Sequence, residues 1–230
     1  MSLSNINRKK VILFDLDGCL LDTSLGIKES VIYTLDQLKL PTPSAHAINH
    51  FIGPPIQDSL KYYCGLDDVQ AQAGAEIFRN YYKNTALFKA DVYNGIFEVL
   101  TRLKEQNRLI GVATYKREDY AKALLDKFNF SGYCRAVHGA DNFNQLTKSD
   151  IIKFCLDDLS STVNDAVMIG DTIHDALAAS KVGIDFIGVT WGFGFKSDEY
   201  YSDIASIGFA KHPLDILSIL KDVEDSTSNK

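Results

Sequence analysis

The 230-residue chain has no excess of basic charge, no long apolar run and no closely paired cysteines, and each absence removes a class of function. Lys and Arg total 24 against 30 Asp and Glu, a net charge of −6. That balance offers no basic face to a nucleic acid polymer and argues against an anionic membrane surface. No apolar stretch approaches the roughly 20 residues of a membrane span. The basic residues within Met1–Lys10 are followed by only four apolar ones before Asp15, which is not the pattern of a secretory signal. Cys19, Cys64, Cys134 and Cys155 form no Cys-x-x-Cys pair, so neither zinc nor a dithiol is indicated, and reduced thiols of a cytoplasmic protein are expected. Internal repeats and low-complexity tracts are also missing. What is present is ordinary globular composition, 46% hydrophobic and 23% charged, in a length suited to one large domain or a core with an insert.

The order of elements is more specific. Val11–Phe14 is four apolar residues with no polar face, the mark of a strand buried on both sides. From about Ser24 to Phe88 the pattern is helical, with helices expected over Ile27–Leu38, His46–Phe51, Ile56–Cys64 and Asp67–Lys83, broken by Pro41, Pro43 and Gly53-Pro54-Pro55. Strands and helices then alternate. Strands fall at Leu109–Ala113, Ala136–His138, Ala166–Ile169, Phe186–Val189 and Ile207–Ala210. Helices fall at Ile96–Gln106, Arg117–Phe128, Asp150–Leu159, Ile173–Lys181 and Pro213–Asp222, with Pro213 placed for a first turn. The polar tail Glu224–Lys230 reads as disordered. Such alternation predicts an α/β fold, a Rossmann-like, doubly wound parallel sheet with an all-helical cap inserted after its first strand. The core would comprise residues 1–22 and 89–230, and the cap residues 23–88.

Gly18 ends the first strand and leaves Asp15 and Asp17 at its carboxyl end, where open α/β sheets hold ligands. Two acids that close repel unless a cation or a shared proton compensates them, and hard carboxylate oxygens suit Mg2+. An acidic turn fits the same residues. Leu109–Thr114 is a second apolar strand ending in a hydroxyl, able to donate to a phosphoryl group or simply to cap the next helix. Lys148, just before a helix, could neutralise a phosphoryl oxygen and a carboxylate together, although most lysines are solvated surface charges. In Val167–Asp175 an apolar strand again ends in Gly170-Asp171, and Asp175 would sit in the first helical turn facing back toward Asp171. Capping of the helix dipole accounts for Asp175 but not for the Gly-Asp pair.

Taken in order, Asp15-Leu-Asp17-Gly18-Cys19-Leu20, the strand ending in Thr114, Lys148, and Gly170-Asp171 with Asp175 resemble the haloacid dehalogenase superfamily. The resemblance runs from Val11 to about Leu220. It implies a phosphatase in which Asp15 takes the phosphoryl group as an aspartyl phosphate and Asp17 serves as general acid and then base. Asp15, Asp171 and Asp175 would hold Mg2+ together with the backbone carbonyl of Asp17, while Thr114 and Lys148 stabilise the phosphoryl group. Dehalogenases of the family lack an acid at the position of Asp17, and its hexose-phosphate mutases typically carry Glu-Asp where this chain has Gly170-Asp171. The first comparison favours phosphoryl transfer and the second a phosphomonoester phosphatase over the alternative of a sugar-phosphate mutase, while the intact set Asp15, Asp17, Thr114, Lys148, Asp171 and Asp175 argues against a non-catalytic phosphometabolite-binding module. Cys19 stands where members usually have Thr. Nearby anions should raise its pKa and make it a poor nucleophile.

The helical insert matches the cap of members resembling phosphoglycolate phosphatase, as do Phe51–Pro55, Tyr93-Asn94-Gly95 and Gly192-Phe193-Gly194. Gly53, Pro54 and Pro55 from the insert, with Thr114, Tyr115 and Lys116 from the core, are the expected substrate contacts, though Gly-Pro-Pro serves equally as a stiff turn. Substrate would be a small phosphorylated metabolite, phosphoglycolate-like or a nucleoside monophosphate, and the protein a monomer or homodimer. Tyr62-Tyr63 and Tyr81-Tyr82 could stack a base, but helical spacing favours core packing. His46 and His50, four apart without a third ligand, read as surface residues, as does His174.

Overall fold

A computed structural model of the chain describes residues 9–143, 145–196, 201 and 203–228. Six parallel strands form its centre: β1 (Val11–Phe14), β4 (Leu109–Arg117), β5 (Cys134–Ala140), β6 (Ala166–Gly170), β7 (Asp185–Val189) and β8 (Gly208–Ala210). Their spatial order is β5-β4-β1-β6-β7-β8. The chain therefore builds outward on one side of β1, returns, and builds outward on the other. The carboxyl ends of β1, β4 and β6 flank the point where the order reverses, the usual ligand crevice of such sheets. Asp15 follows β1 directly, and its amide donates to the Ile169 carbonyl at 2.8 Å, so the sheet ladder itself fixes the backbone of the first acid beside β6.

Strand periodicity sorts the core. Ile12 and Phe14 point into one apolar cluster with α5 (Ile96–Glu105) and α6 (Glu118–Lys127), while Val11 and Leu13 point into another with α7 (Lys148–Asp158) and α8 (Ile173–Val182). Four helices, α1 (Ser24–Gln37), α2 (Ala45–Asn49), α3 (Ile56–Cys64) and α4 (Asp68–Tyr81), intervene between β1 and the rest of the sheet. Val31, Leu35 and Leu60 of this layer belong to the same cluster as Phe14, so its apolar interior is continuous with that of the sheet.

Several boundaries differ from the sequence expectations. The helical layer is tied down by a two-stranded antiparallel ribbon, β2 (Leu21–Asp22) with β3 (Asp91–Val92), too short to show alternation in sequence. Helix α1 begins at Ser24 rather than Ile27, and α2 ends at Asn49 rather than Phe51. Helix α4 ends at Tyr81, and a π-helical turn over Tyr82–Ala86 replaces its expected last residues. Strand β4 continues to Arg117, so Thr114, Tyr115 and Lys116 lie within it. The cap of α6 is Arg117, and Thr114 plays no part there. Helix α9 (Asp215–Ser228) starts two residues after Pro213 and carries most of the polar tail in helical form. All four cysteines are free thiols, and among the described residues no helix is long and apolar enough to cross a membrane.

Candidate active site

Burial of charge dominates the carboxyl end of the sheet. Asp15, Asp17, Thr114, Lys148, Asp171 and Asp175 are all buried, with Asp171 at 0% exposure. Carboxylate oxygens of Asp15, Asp171 and Asp175 lie within 4.8 Å of one another. Lys148, the first residue of α7, donates to Asp15 Oδ1 at 2.7 Å. Its Nζ also lies 2.8 Å from Asp175 Oδ1, an ion pair outside hydrogen-bond geometry. The Thr147–Asp150 capping box starts α7 at the residue that must reach inward. Asp17 stands beside this group and not in it. Thr23 donates to its Oδ1 at 2.7 Å, and Lys116 to its Oδ2 at 2.8 Å.

Asp175 meets both sequence readings at once. Its Oδ2 accepts from the Thr172 amide at 3.0 Å and the Thr172 hydroxyl at 2.7 Å, capping α8, which leaves Oδ1 to face Lys148. Gly170 is required between them, because a Cβ there would run into the Asp175 carboxylate. Asp171 Oδ2 accepts from the Phe193 amide at 2.6 Å and the Gly194 amide at 3.3 Å. Asp171 Oδ1 is enclosed and has no hydrogen-bond partner.

These contacts set the protonation energetics. Burial, reinforced by Asp175 and Asp15, raises Asp171 from its ordinary 3.8 to about 8 against the two amides that pull it down. Burial also raises Asp15, to about 6, with Lys148 opposing and Asp175 adding to the rise. Burial alone would lower Lys148, but Asp15 and Asp175 hold its proton more firmly than solvent would, and Asp17 does the same for Lys116. The Cys19 thiol is pushed well up, first by burial and then by Asp15 and Asp171, which leaves it unreactive. Four acids facing two ammonium groups leave two negative charges uncompensated when all are ionised. A divalent, oxygen-seeking cation is the group that such a balance and the unpartnered Asp171 oxygen would accommodate.

A small cavity lined by Asp15, Asp17, Gly53, Thr114, Tyr115, Lys116, Lys148 and Thr172 opens at these groups. It shares Asp17, Gly53, Tyr115 and Lys116 with a larger space between the helical layer and the sheet, which Pro54 and Pro55 also line. The expected contact residues thus converge, and Pro55 additionally caps α3. Tyr62 is 82% exposed and neither it nor Tyr63 lines the cavity, contrary to core packing, whereas Tyr82 is buried at its wall. The side chain of His46 lies outside the described residues. His50 stacks on Tyr63, and His174 is exposed. Sequence reasoning missed Thr23, Thr172 and the Phe193-Gly194 amides. Only the amides had a signal, the Gly192-Phe193-Gly194 pattern, because two glycines flanking an aromatic mark backbone brought close to something.

The chain belongs to the haloacid dehalogenase-like hydrolase family, whose model matches residues 12–189. It is 33% identical over 204 residues to a 5'-nucleotidase of Pseudomonas aeruginosa, covering 85% of this chain and 92% of that protein. It is 30% identical over 186 residues to a phosphoglycolate phosphatase of Aquifex aeolicus, covering 80% of this chain and 86% of the other. The crystal structure of a "predicted phosphatase" from Clostridium acetobutylicum superposes with a TM-score of 0.85 at 32% identity, over 95% of this chain and 99% of that one.

Proposed function

We propose that this protein is a Mg2+-dependent phosphatase of a small phosphomonoester that works through a phosphorylated Asp15. The observation that carries the reading is the buried convergence of Asp15, Asp171 and Asp175, held by Lys148 and leaving an Asp171 oxygen without a partner. Lys148 occupies Asp15 Oδ1 and leaves the other oxygen to attack phosphorus. Asp17 enters the step protonated, and the P–O bond to the leaving group breaks as Asp17 gives that oxygen its proton. Asp17 then takes a proton from the water that attacks the acyl phosphate, so that phosphate departs and Asp15 is regenerated. Thr23 and Lys116 fix the orientation of Asp17 for both transfers. The Thr114 hydroxyl, which accepts from the Lys116 amide at 3.1 Å, keeps its own proton for a phosphoryl oxygen. Asp15, Asp171, Asp175 and the Asp17 carbonyl would hold Mg2+, which would supply charge neutralisation where an anionic carboxylate must approach an anionic phosphate.

Residues 23–88 act in this reading as a cap that shields the intermediate from bulk water, over a core of residues 1–22 and 89–230. The names of the two relatives suggest phosphoglycolate-like substrates or nucleoside monophosphates. Inorganic phosphate release from a broad panel of phosphomonoesters, with Mg2+ and with chelator, tests the assignment. Mg2+-dependent turnover of at least one member is expected, and silence across the panel refutes it.

A further inference from the structure

The larger cavity contains a cation that the proposed chemistry does not use. Arg79, in the last turn of α4, lines this space yet is only 9% exposed, and its Nη1 has no hydrogen-bond partner. Among the described residues it has no ion pair. Its nearest charged neighbours include Arg117, whose like charge, together with burial, pulls the guanidinium pKa down. Of the acids whose charge reaches it, Glu76 accepts from the Gln72 side-chain amide at 3.4 Å, and Asp141 accepts from the amides of Phe143, Gln145 and Leu146. A buried guanidinium without a close ion pair is costly and persists where an anion is to be received. Tyr82, one helical turn on, shares its face of the helix and stacks under Lys116 at 4.7 Å, so Arg79 is connected to the Asp17 end of the cavity by one aromatic wall.

We propose that Arg79 is a specificity-determining residue that receives a second anionic group of the substrate, a carboxylate or a second phosphoryl, while the first phosphoryl group sits at Asp15. A planar guanidinium suits either, because both offer two oxygens to its paired donors. The substrate class is thereby a phosphorylated acid or a bisphosphate, in preference to a phosphomonoester with a neutral remainder. This rests on the phosphatase reading for the position of the first phosphoryl group, but its test does not depend on turnover.

Calorimetric titration of the Asp15→Asn protein with Mg2+ present compares 2-phosphoglycolate, 3-phosphoglycerate, propane-1,3-diol bisphosphate, 2-hydroxyethyl phosphate and adenosine 5'-monophosphate. At least one of the three ligands with a second anionic group is expected to bind roughly ten- to a hundredfold tighter than 2-hydroxyethyl phosphate, a margin typical of a charged hydrogen-bonded pair. The carboxylates and the bisphosphate tell apart the two sources of the second charge. Arg79→Gln should bring that ratio to about one and Arg79→Lys should keep part of it. Ligand-free Arg79→Gln should melt no lower than its parent, since it loses an unpaired buried charge, whereas a merely structural arginine would lower the melting temperature. Equal binding of all five ligands, a preference for adenosine 5'-monophosphate, or a preference that survives Arg79→Gln overturns the proposal. A clear Arg79-dependent preference without phosphate release by the native enzyme leaves this inference standing and refutes the phosphatase reading instead.

Discussion

At the scale of single residues, the site is defined by what burial does to carboxylates. Asp15→Asn keeps the shape of the side chain but removes the attacking oxygen, so phosphate release should fall by on the order of a thousandfold or more, with an unchanged circular dichroism spectrum. Near-native turnover would take Asp15 out of the nucleophile's role. The raised pKa of Asp171 gives a second expectation. With an ordinary value of 3.8 and about 8 in the fold, the folded state binds the proton more tightly than the unfolded chain does. Its contribution to stability is therefore complete below about pH 4 and lost as pH rises through about 8. Asp15, raised to about 6, acts in the same direction. Metal-free protein should show a urea midpoint that declines from pH 5 to pH 8, Mg2+ should flatten the decline, and Asp171→Asn should remove most of it. A midpoint rising over that interval would contradict the assignment of burial as the cause.

At the scale of elements, the junction of β6 with α8 concentrates the constraints. Gly170 ends the strand, Asp171 turns back onto the Phe193-Gly194 amides, and Thr172 and Asp175 cap the helix. A methyl group at Gly170 would meet the Asp175 carboxylate. Gly170→Ala should cost about 1–3 kcal/mol in denaturant unfolding and raise the Mg2+ concentration needed for half-maximal activity. A variant with native stability and native Mg2+ dependence would show that Asp175 can move freely. This junction also explains which parts of the molecule were legible in the sequence. Strand ends carrying Asp15 and Asp171 were readable because a buried strand is an apolar run and its end is marked by the first polar residue, whereas β4 runs on past Thr114 to Arg117. The β2–β3 ribbon was not, since two residues per strand carry no period. Nor was the π-helical turn at Tyr82, since its sequence continues the pattern of α4. Arg79 was invisible for a different reason: an arginine on a helix is ordinarily solvated, and only the packing of the helical layer over the sheet buries it.

At the scale of the whole molecule, the helical layer and the sheet enclose the acids between them, and Gly53 from the layer lines the same small cavity as Asp15. In the cap reading proposed above, a substrate reaching Asp15 passes that contact, and the layer swings on the two chain crossings that pair as β2 and β3. The contact offers a way to arrest the motion. A Cβ built on Gly53 would lie 3.6 Å from Thr172 Cγ2, with Thr172 Cβ itself beyond 4 Å, so a disulfide between the two positions has to close at the long end of the usual separation of β-carbons. In the double variant Gly53→Cys with Thr172→Cys, both residues border the site, and Gly53 has a φ of +105° that disfavours a side chain. The native protein is therefore the wrong reference, and the reduced form of the same variant is the right one. Oxidation should lower its turnover at least tenfold, a reductant should restore the reduced rate, and Cys19 and Cys155 should stay out of the exchange because both are buried. If the oxidised and reduced forms turn over substrate equally, entry and release do not require the layer to separate from the sheet at Gly53, and the path to Asp15 must run elsewhere.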